Sequence, residues 1–417
     1  MQRPGETIRL TFHRRIFRIL LVGQERFVFY GYMKSRLMKR SPMWEIFWIF
    51  LATRFILIFV TYFGFILLTQ NAHASTPITF STMFTSWNRW DALVYIRIAQ
   101  SGYHPPLDLA FFPLYPLLIA AIAHPLGSWS YFAVGMLLSN GMLLGAMVII
   151  YQLAKEIGGD QVARRALLYL CIFPTAFFFF TAYNESLFIL LTAATFLALR
   201  RQCWCLAGLL GFFSILTRST GALIVVPFLY ELWLNREGVT ATWHSLLSGL
   251  LPILLIPLGL LLYCIYCWKL TGDPIAFATV QFHWSRQAAW PWQGIWQNIF
   301  ELFWNQPFGS FNEVHVLLDL SATLTFIALV IAGRQQMRAS YTLWTGLLLF
   351  YYLLSPSIQQ HDALISNQRF VLEMFPAFIT LALLGLRHPH LHQALLWMFP
   401  ALLATLSLLF VMGKWMV

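Results

Sequence analysis

Charged side chains are scarce in this sequence. Of its 417 residues, Asp, Glu, Lys and Arg together make up 10%, where an ordinary water-soluble domain carries roughly a quarter. That scarcity excludes a disordered chain, which stays open through low hydrophobicity and high charge, and a long coiled coil, whose seam needs charged flanks. Cysteine is scarce too: five residues in a chain of this length exclude a disulfide-stapled secreted module. Cys171, Cys203, Cys205, Cys264 and Cys267 all lie in apolar segments, where a thiol behaves as a small hydrophobe. Cys264 and Cys267 form a CxxC without redox context on an apolar helix. What fills the sequence is apolar: 59% hydrophobic residues, 38 Phe and 17 Trp, with a mean hydropathy of +0.67. Such a chain reads as an all-α polytopic membrane protein, because a spanning backbone without strands to close a barrel must bond within helices.

The net charge of +11 suggests nucleic acid or an anionic membrane surface, and position decides. Residues 1–43 hold ten Lys and Arg against Glu6 and Glu25, directly before the first apolar run. This is a cytoplasmic anchor by the positive-inside rule, and no nucleic-acid partner is expected. Ile16, Ile19, Leu20 and Phe27 recur at helical spacing, so the segment reads either as a helix lying on the inner leaflet or as a ragged basic tail. No cleavable signal pattern precedes the first span.

A bilayer core needs roughly 20 apolar residues per helix. Eleven runs qualify or nearly qualify: 44–68, 131–153, 166–182, 186–199, 203–217, 220–234, 244–267, 314–333, 340–355, 370–386 and 391–413. The run 109–126 is apolar as well, but Pro113, Pro116 and Pro125 interrupt it, so it reads as a broken interfacial or re-entrant element. With the N-terminus inside, eleven spans put 19 cations on the cytoplasmic side and seven outside, with Arg54 inside the first span. The expected organisation is a basic segment 1–43 followed by one transmembrane domain, 44–417, with long outer loops at 69–130 and 268–313.

The outer loops carry the candidate chemistry. WNRWDALVYIRIAQSGY, residues 87–103, reads as an interfacial helix capped by Asn88 and ended by Gly102. Arg89 and Arg97 lack the spacing for a local ion pair with Asp91, which shares a face with Tyr95 and Ile98. Asp91 is therefore either placed to accept a proton or paired with an arginine from another loop. Tyr183, Asn184 and Glu185 sit between two apolar stretches and read either as polar groups facing a cavity or a partner, or, for Asn184 and Glu185, as a helix cap in a tight outer turn. LTGDPIAFATVQFHWSR offers Asp273, Gln281, His283 and Arg286, and SNQRFVLEMFP offers Gln368, Arg369 and Glu373. With Arg218 of LTRSTG, three arginines stand near outer span ends. They serve either as forked donors to a phosphate or as anchors that snorkel to headgroups. RHPHLHQ brings His388, His390 and His392 together, as a metal site or a solvated turn.

RWDALVYIRIAQSGY, FFPLYP, FPTAFFFFTAYNESLF, LTRSTGALIVVP, TGDPIAFATVQFHWSR and NQRFVLEMFP occur in this order between about residues 44 and 386. In them the chain resembles the PIG-V mannosyltransferase family, within the GT-C class of polytopic glycosyltransferases. Residues 1–40 fall outside the resemblance. It implies a GT-C-like bundle of about eleven helices that takes mannose from a polyprenyl-phosphate donor. The acceptor would be a hydroxyl of a glycolipid or glycan at the outer or lumenal face, among membrane lipids. Asp91 matches the family's first-loop acid and would be the base. Arg286, Arg369 and Arg218, with His283 and Gln281, would face the donor phosphate. Arg89, Trp90, Tyr95, Tyr183, Asn184, Glu185 and Asp273 would bind the acceptor or support the site. No acidic cluster with metal-ligand spacing is evident, so neither metal nor cofactor is expected. The absence of a retention signal and the compact length lean towards a prokaryotic plasma-membrane enzyme; a eukaryotic member would sit in the endoplasmic reticulum. A glycolipid transporter or flippase without transferase activity is the competing reading.

Overall fold

A helix satisfies its backbone donors and acceptors from within, and helices dominate the chain from Pro42 to Val411. The computed structural model describes residues 42–69, 77–235 and 249–415. Most of the basic segment, with its inner-leaflet helix reading, lies outside the described residues. The first helices are α1 (Pro42–Thr69), α2 (Phe80–Thr85), α3 (Asp91–Ser101), α4 (Leu114–Ala123) and α5 (Ser130–Ile172). Then come α6 (Glu185–Arg200), α7 (Trp204–Ile215), α8 (Val225–Leu234), α9 (Leu255–Thr271) and α10 (Gln293–Phe300). The last are α11 (Phe311–Gly333), α12 (Ala339–Leu353), α13 (Asn367–Phe370), α14 (Phe375–Arg387) and α15 (Pro389–Val411). Among the described residues there is no strand; Arg286 and Ser357 form one isolated antiparallel bridge. Contacts divide the chain into residues 1–48 and 49–417, and the described part of the first unit is the opening of α1.

Among the described residues, five helices are long and apolar enough to cross a bilayer, or six if Asn367–Glu373 and Phe375–Arg387, bent by 88°, form one span. The chain is a multi-pass membrane protein. Several of the eleven predicted runs are helices too short for that length. The run 166–182 leaves helix after Ile172, just before Pro174, and α6, α7 and α12 have 16, 12 and 15 residues. At about 1.5 Å per residue none of these three reaches roughly 30 Å. The run 109–126 is broken as expected: a tight 3-10 turn at Leu107–Ala110, extended Phe111, then α4 and another turn at His124–Leu126.

Small residues set the helix contacts, as they must where lipid removes the hydrophobic drive between helices. Inside α5, Gly158 and left-handed Gly159 (φ +76°) break the helix, so its second part swings onto α14. Gly208 of α7 lies so close to Pro252 that any Cβ would fall on the Pro252 carbonyl.

Helix α3 ends on Gly102 at φ +80°, as its sequence predicts, but Asn88 does not cap it. The helix starts at Asp91, and the carbonyls of Arg89 and Trp90 take the N–H groups of Ala92 and Leu93 at 3.1 and 3.0 Å. These are among the donors a cap would have satisfied. Trp90 pays for this with a left-handed backbone, φ 53° and ψ −123°.

Candidate active site

Five charged residues from four regions of the chain meet in one network. Asp91 and Glu185 are the first residues of α3 and α6, where helix dipoles favour carboxylates. Arg218 precedes the 3-10 turn Ser219–Ile224, Arg369 lies on α13, and Glu373 closes the next 3-10 turn. Arg369 donates from Nη1 to Asp91 Oδ2 at 2.6 Å and from Nε to Glu185 Oε1 at 2.5 Å. Arg218 Nη1 reaches the same Glu185 oxygen at 3.0 Å and Glu373 Oε1 at 2.9 Å. Glu185, Glu373 and Arg369 are buried, whereas the Asp91 side chain keeps 28% of its exposure. Asp91 Oδ1 has no hydrogen-bond partner among the described residues, so the carboxylate is held by one oxygen and open at the other.

Aromatic rings wall the network. Arg369 lies 4.7 Å from the Tyr183 ring centre and 4.9 Å from that of Phe178. Phe370 lies beneath Arg218 and Arg286, each 5.2 Å from its ring centre, and stacks on Tyr352 at 4.5 Å. Tyr352 Oη in turn donates to Glu373 Oε2 at 2.8 Å. Three carboxylates thus face two paired arginines, and Arg286 adds a third cation that pairs with no acid among the described residues. Its Nη1 and Nη2 donate to the Ser355 and Ile365 carbonyls, both at 3.0 Å. Burial pulls the Arg286 guanidinium below its ordinary value. Burial also pushes the Tyr95 phenol well above its own, and Arg218, Glu185, Asp91 and Arg369 all act on it; Tyr95 is a neutral wall, not a base.

Of the two readings left open for Asp91, pairing with an arginine from another loop is present, yet one oxygen stays open. Of the two readings of its segment, Glu185 meets the one in which the acid faces a partner, pairing with Arg218 and Arg369, whereas Asn184 precedes α6 without a side-chain cap hydrogen bond. Asn184 donates to the Thr217 carbonyl at 2.9 Å beside Arg218. Tyr183 donates to the Arg89 carbonyl at 3.2 Å, while the Arg89 side chain turns to the Ser86 and Val411 carbonyls. Trp90 packs on Trp415. Asp273, Gln281 and His283 stand outside the network: Asp273 accepts from Ile275 N–H and Thr279 Oγ1, Gln281 accepts Arg286 N–H through its carbonyl, and His283 is exposed beside Trp284. Arg97 pairs with Asp108, and His392 bonds the Tyr169 hydroxyl at 2.7 Å.

In the sequence reading Glu373 stands among the candidates of SNQRFVLEMFP without an assigned role, and neither Tyr352 nor Phe370 is singled out. Glu373 carried the clearest signal, an acid enclosed by FVL and MFP. The reading also found no metal-ligand spacing, although His315 and Asp319, one turn apart on α11, meet Asp362.

A sequence pattern described as mannosyltransferase (PIG-V) matches residues 71–306, more than half of the chain. The chain belongs to this family. The match includes Asp91, Glu185, Arg218 and Arg286 and stops short of Arg369 and Glu373. GPI mannosyltransferase 2 of Schizosaccharomyces pombe is 27% identical over 225 residues, which are 48% of this chain and 47% of the relative. The alignment thus spans about half the length of each. ArnT from Cupriavidus metallidurans, solved with undecaprenyl phosphate, superimposes with a TM-score of 0.49 at 14% identity, over 86% of this chain and 63% of ArnT. The oligosaccharyltransferase AglB of Archaeoglobus fulgidus, solved with an inhibitory peptide and a dolichol-phosphate, gives 0.39 at 11% identity over 88% and 55%.

Proposed function

We propose that this PIG-V family member is a membrane glycosyltransferase that moves mannose from a polyprenyl-phosphate donor to an acceptor hydroxyl on a glycolipid or glycan at the outer or lumenal face. The observation that carries the reading is Asp91: Arg369 binds one carboxylate oxygen, the other has no hydrogen-bond partner among the described residues, and the side chain stays partly exposed beside a buried charge network. In this reaction the acceptor hydroxyl gives its proton to Asp91 Oδ1 while its oxygen attacks the sugar's anomeric carbon. The bond from that carbon to the phosphate breaks, and the polyprenyl phosphate leaves as an anion that needs no proton. Arg369 holds the other carboxylate oxygen and so aims Asp91. Arg218 and Arg286 supply positive charge toward the leaving phosphate, in place of an ion at the reacting atoms. Membership of the family supports the mannosyl group, and the name of the fission-yeast relative supports a glycolipid acceptor.

Purified Asp91→Asn protein tests the base assignment. With polyprenyl-phosphate mannose and a membrane lipid extract, transfer is expected to fall by about 10²-fold or more while the protein stays folded, its melting temperature only modestly lowered because Asp91 is partly exposed and Glu185 still pairs Arg369. Transfer at the wild-type rate would overturn the assignment. A glycolipid transporter would instead keep moving lipid after the Asp91→Asn substitution.

A further inference from the structure

A second polar cluster lies on other elements. His315 and Asp319 of α11 meet Asp362, from the segment between α12 and α13, and all three are buried. His315 Nδ1 is 2.7 Å from Asp362 Oδ2 and 3.7 Å from Asp319 Oδ2, and one donor atom from each residue lies within 4.8 Å of the others. The opposite carboxylate oxygens are held from behind. Asp362 Oδ1 accepts from Asn298 Nδ2 at 2.7 Å and Leu364 N–H at 2.9 Å, and Asp319 Oδ1 accepts Gln368 N–H at 2.7 Å. Gln368 Nε2 also approaches Asp319 Oδ2, at 3.5 Å. Two Oδ2 atoms and Nδ1 are left converging.

With both carboxylates ionised, even an imidazolium would leave one negative charge among three buried groups, which is strongly unfavourable, so the cluster must take up either a further proton between the carboxylates or a cation. No Lys or Arg forms an ion pair with either aspartate among the described residues. The Arg286 nitrogens bond the Ser355 and Ile365 carbonyls instead. A divalent cation would make the two carboxylates and a neutral imidazole a neutral site.

We propose that His315, Asp319 and Asp362 are three ligands of one divalent transition cation, of the Zn²⁺ or Mn²⁺ type. One imidazole nitrogen with two carboxylate oxygens suits these ions, whereas Mg²⁺ and Ca²⁺ favour oxygen alone. Around a tetrahedral ion with bonds of about 2.0 to 2.2 Å, ligand atoms stand roughly 3 to 3.5 Å apart. The three atoms reach that spacing by shifts under about 1 Å. Binding displaces the proton between Nδ1 and Asp362 Oδ2, and the nitrogen lone pair turns to the ion. Through the Gln368 N–H the ion braces the residue that precedes Arg369, without touching the reacting atoms. The site does not rest on the transferase reading.

The test uses full-length protein stripped with chelator, desalted, and titrated with ZnCl₂ or MnCl₂ alone, with bound metal and melting temperature as readouts. Wild type is expected to retain one equivalent and to melt higher when loaded. His315→Ala and Asp319→Asn should each weaken binding roughly tenfold or more. His315→Gln removes the imidazole while keeping an amide near Asp362, and guards against simple misfolding of the other variants. Wild type that holds no metal would overturn the proposal. So would His315→Gln protein that binds as well as wild type, since the ion would then lie elsewhere.

Discussion

Glu185 holds two guanidiniums on one oxygen, at 2.5 Å from Arg369 and 3.0 Å from Arg218, in a place with almost no access to water. Breaking a buried ion pair from one side costs about 3 to 5 kcal/mol, because the partner stays buried without its counter-charge. Asp91 and Glu373 still pair the two arginines, so Glu185→Gln is expected at the lower end, about 3 kcal/mol. The check is a clear fall in melting temperature; an unchanged melt would mean that the network is not closed through Glu185. Trp90 offers a backbone test of the same site. Its left-handed φ of 53° is strained for a tryptophan and open to glycine. Trp90→Gly is therefore expected to keep Asp91 in place and to change stability by less than about 1 kcal/mol, strain relief offsetting the lost Trp415 contact. Trp90→Val, with a branched Cβ at that φ, should lose both stability and transfer. Asp91, Glu185, Arg218 and Arg369 were legible in the sequence because charge is so rare between its apolar runs. Their partnership was not: Asp91 and Arg369 are 278 residues apart, and no local spacing predicts which distant arginine arrives.

At the scale of elements, the places where predicted spans break are the places where the site is built. Helix α6 begins at Glu185, α7 stops before Arg218, α12 ends just after Tyr352, and the break ahead of α14 carries Arg369 and Glu373. Hydropathy finds the apolar runs correctly but says nothing of the backbone between them. A 3-10 turn such as Ser219–Ile224 or an 88° bend is set by packing that composition does not show. Glycine tests that packing directly. A Cβ at Gly208 would meet the Pro252 carbonyl, so Gly208→Ala must push α7 away from the Leu251–Leu254 turn; a loss of about 1 to 3 kcal/mol is expected. Gly141, in α5, has nothing within 4 Å of an added Cβ. Gly141→Ala should be neutral or stabilising by up to about 1 kcal/mol, through helix propensity alone. Melting curves of the two variants side by side would expose a wrong α7 contact, since both would then behave alike.

Across the whole molecule, several elements run from the charge network to a belt of arginines. Helix α6 starts at Glu185 and ends at Arg200, which pairs with Glu156 of α5 at 2.8 Å. Fifteen residue steps at about 1.5 Å put these ends roughly 22 Å apart. The segment from Arg218 to α8 ends near Glu231, which pairs with Arg338 at the start of α12, whose far end is Tyr352 beside the network. Helix α14 likewise runs from beside Glu373 to Arg387. The arginines at the far ends are ones that the charge asymmetry of the sequence assigns to the cytoplasm. If the positive-inside rule holds for this chain, the network is expected on the outer side, where the proposed lipid-linked donor would be met. Two thiols can test this. Cys203 is exposed and lies just past Arg200 and Arg201; Phe308, in the second long loop, is 99% exposed and can be replaced by cysteine. In sealed right-side-out vesicles of the Phe308→Cys variant, a membrane-impermeant maleimide is expected to label position 308 at once and Cys203 only after the membrane is opened. Labelling of Cys203 in intact vesicles, with position 308 protected, would invert the orientation and put the charge network on the cytoplasmic face.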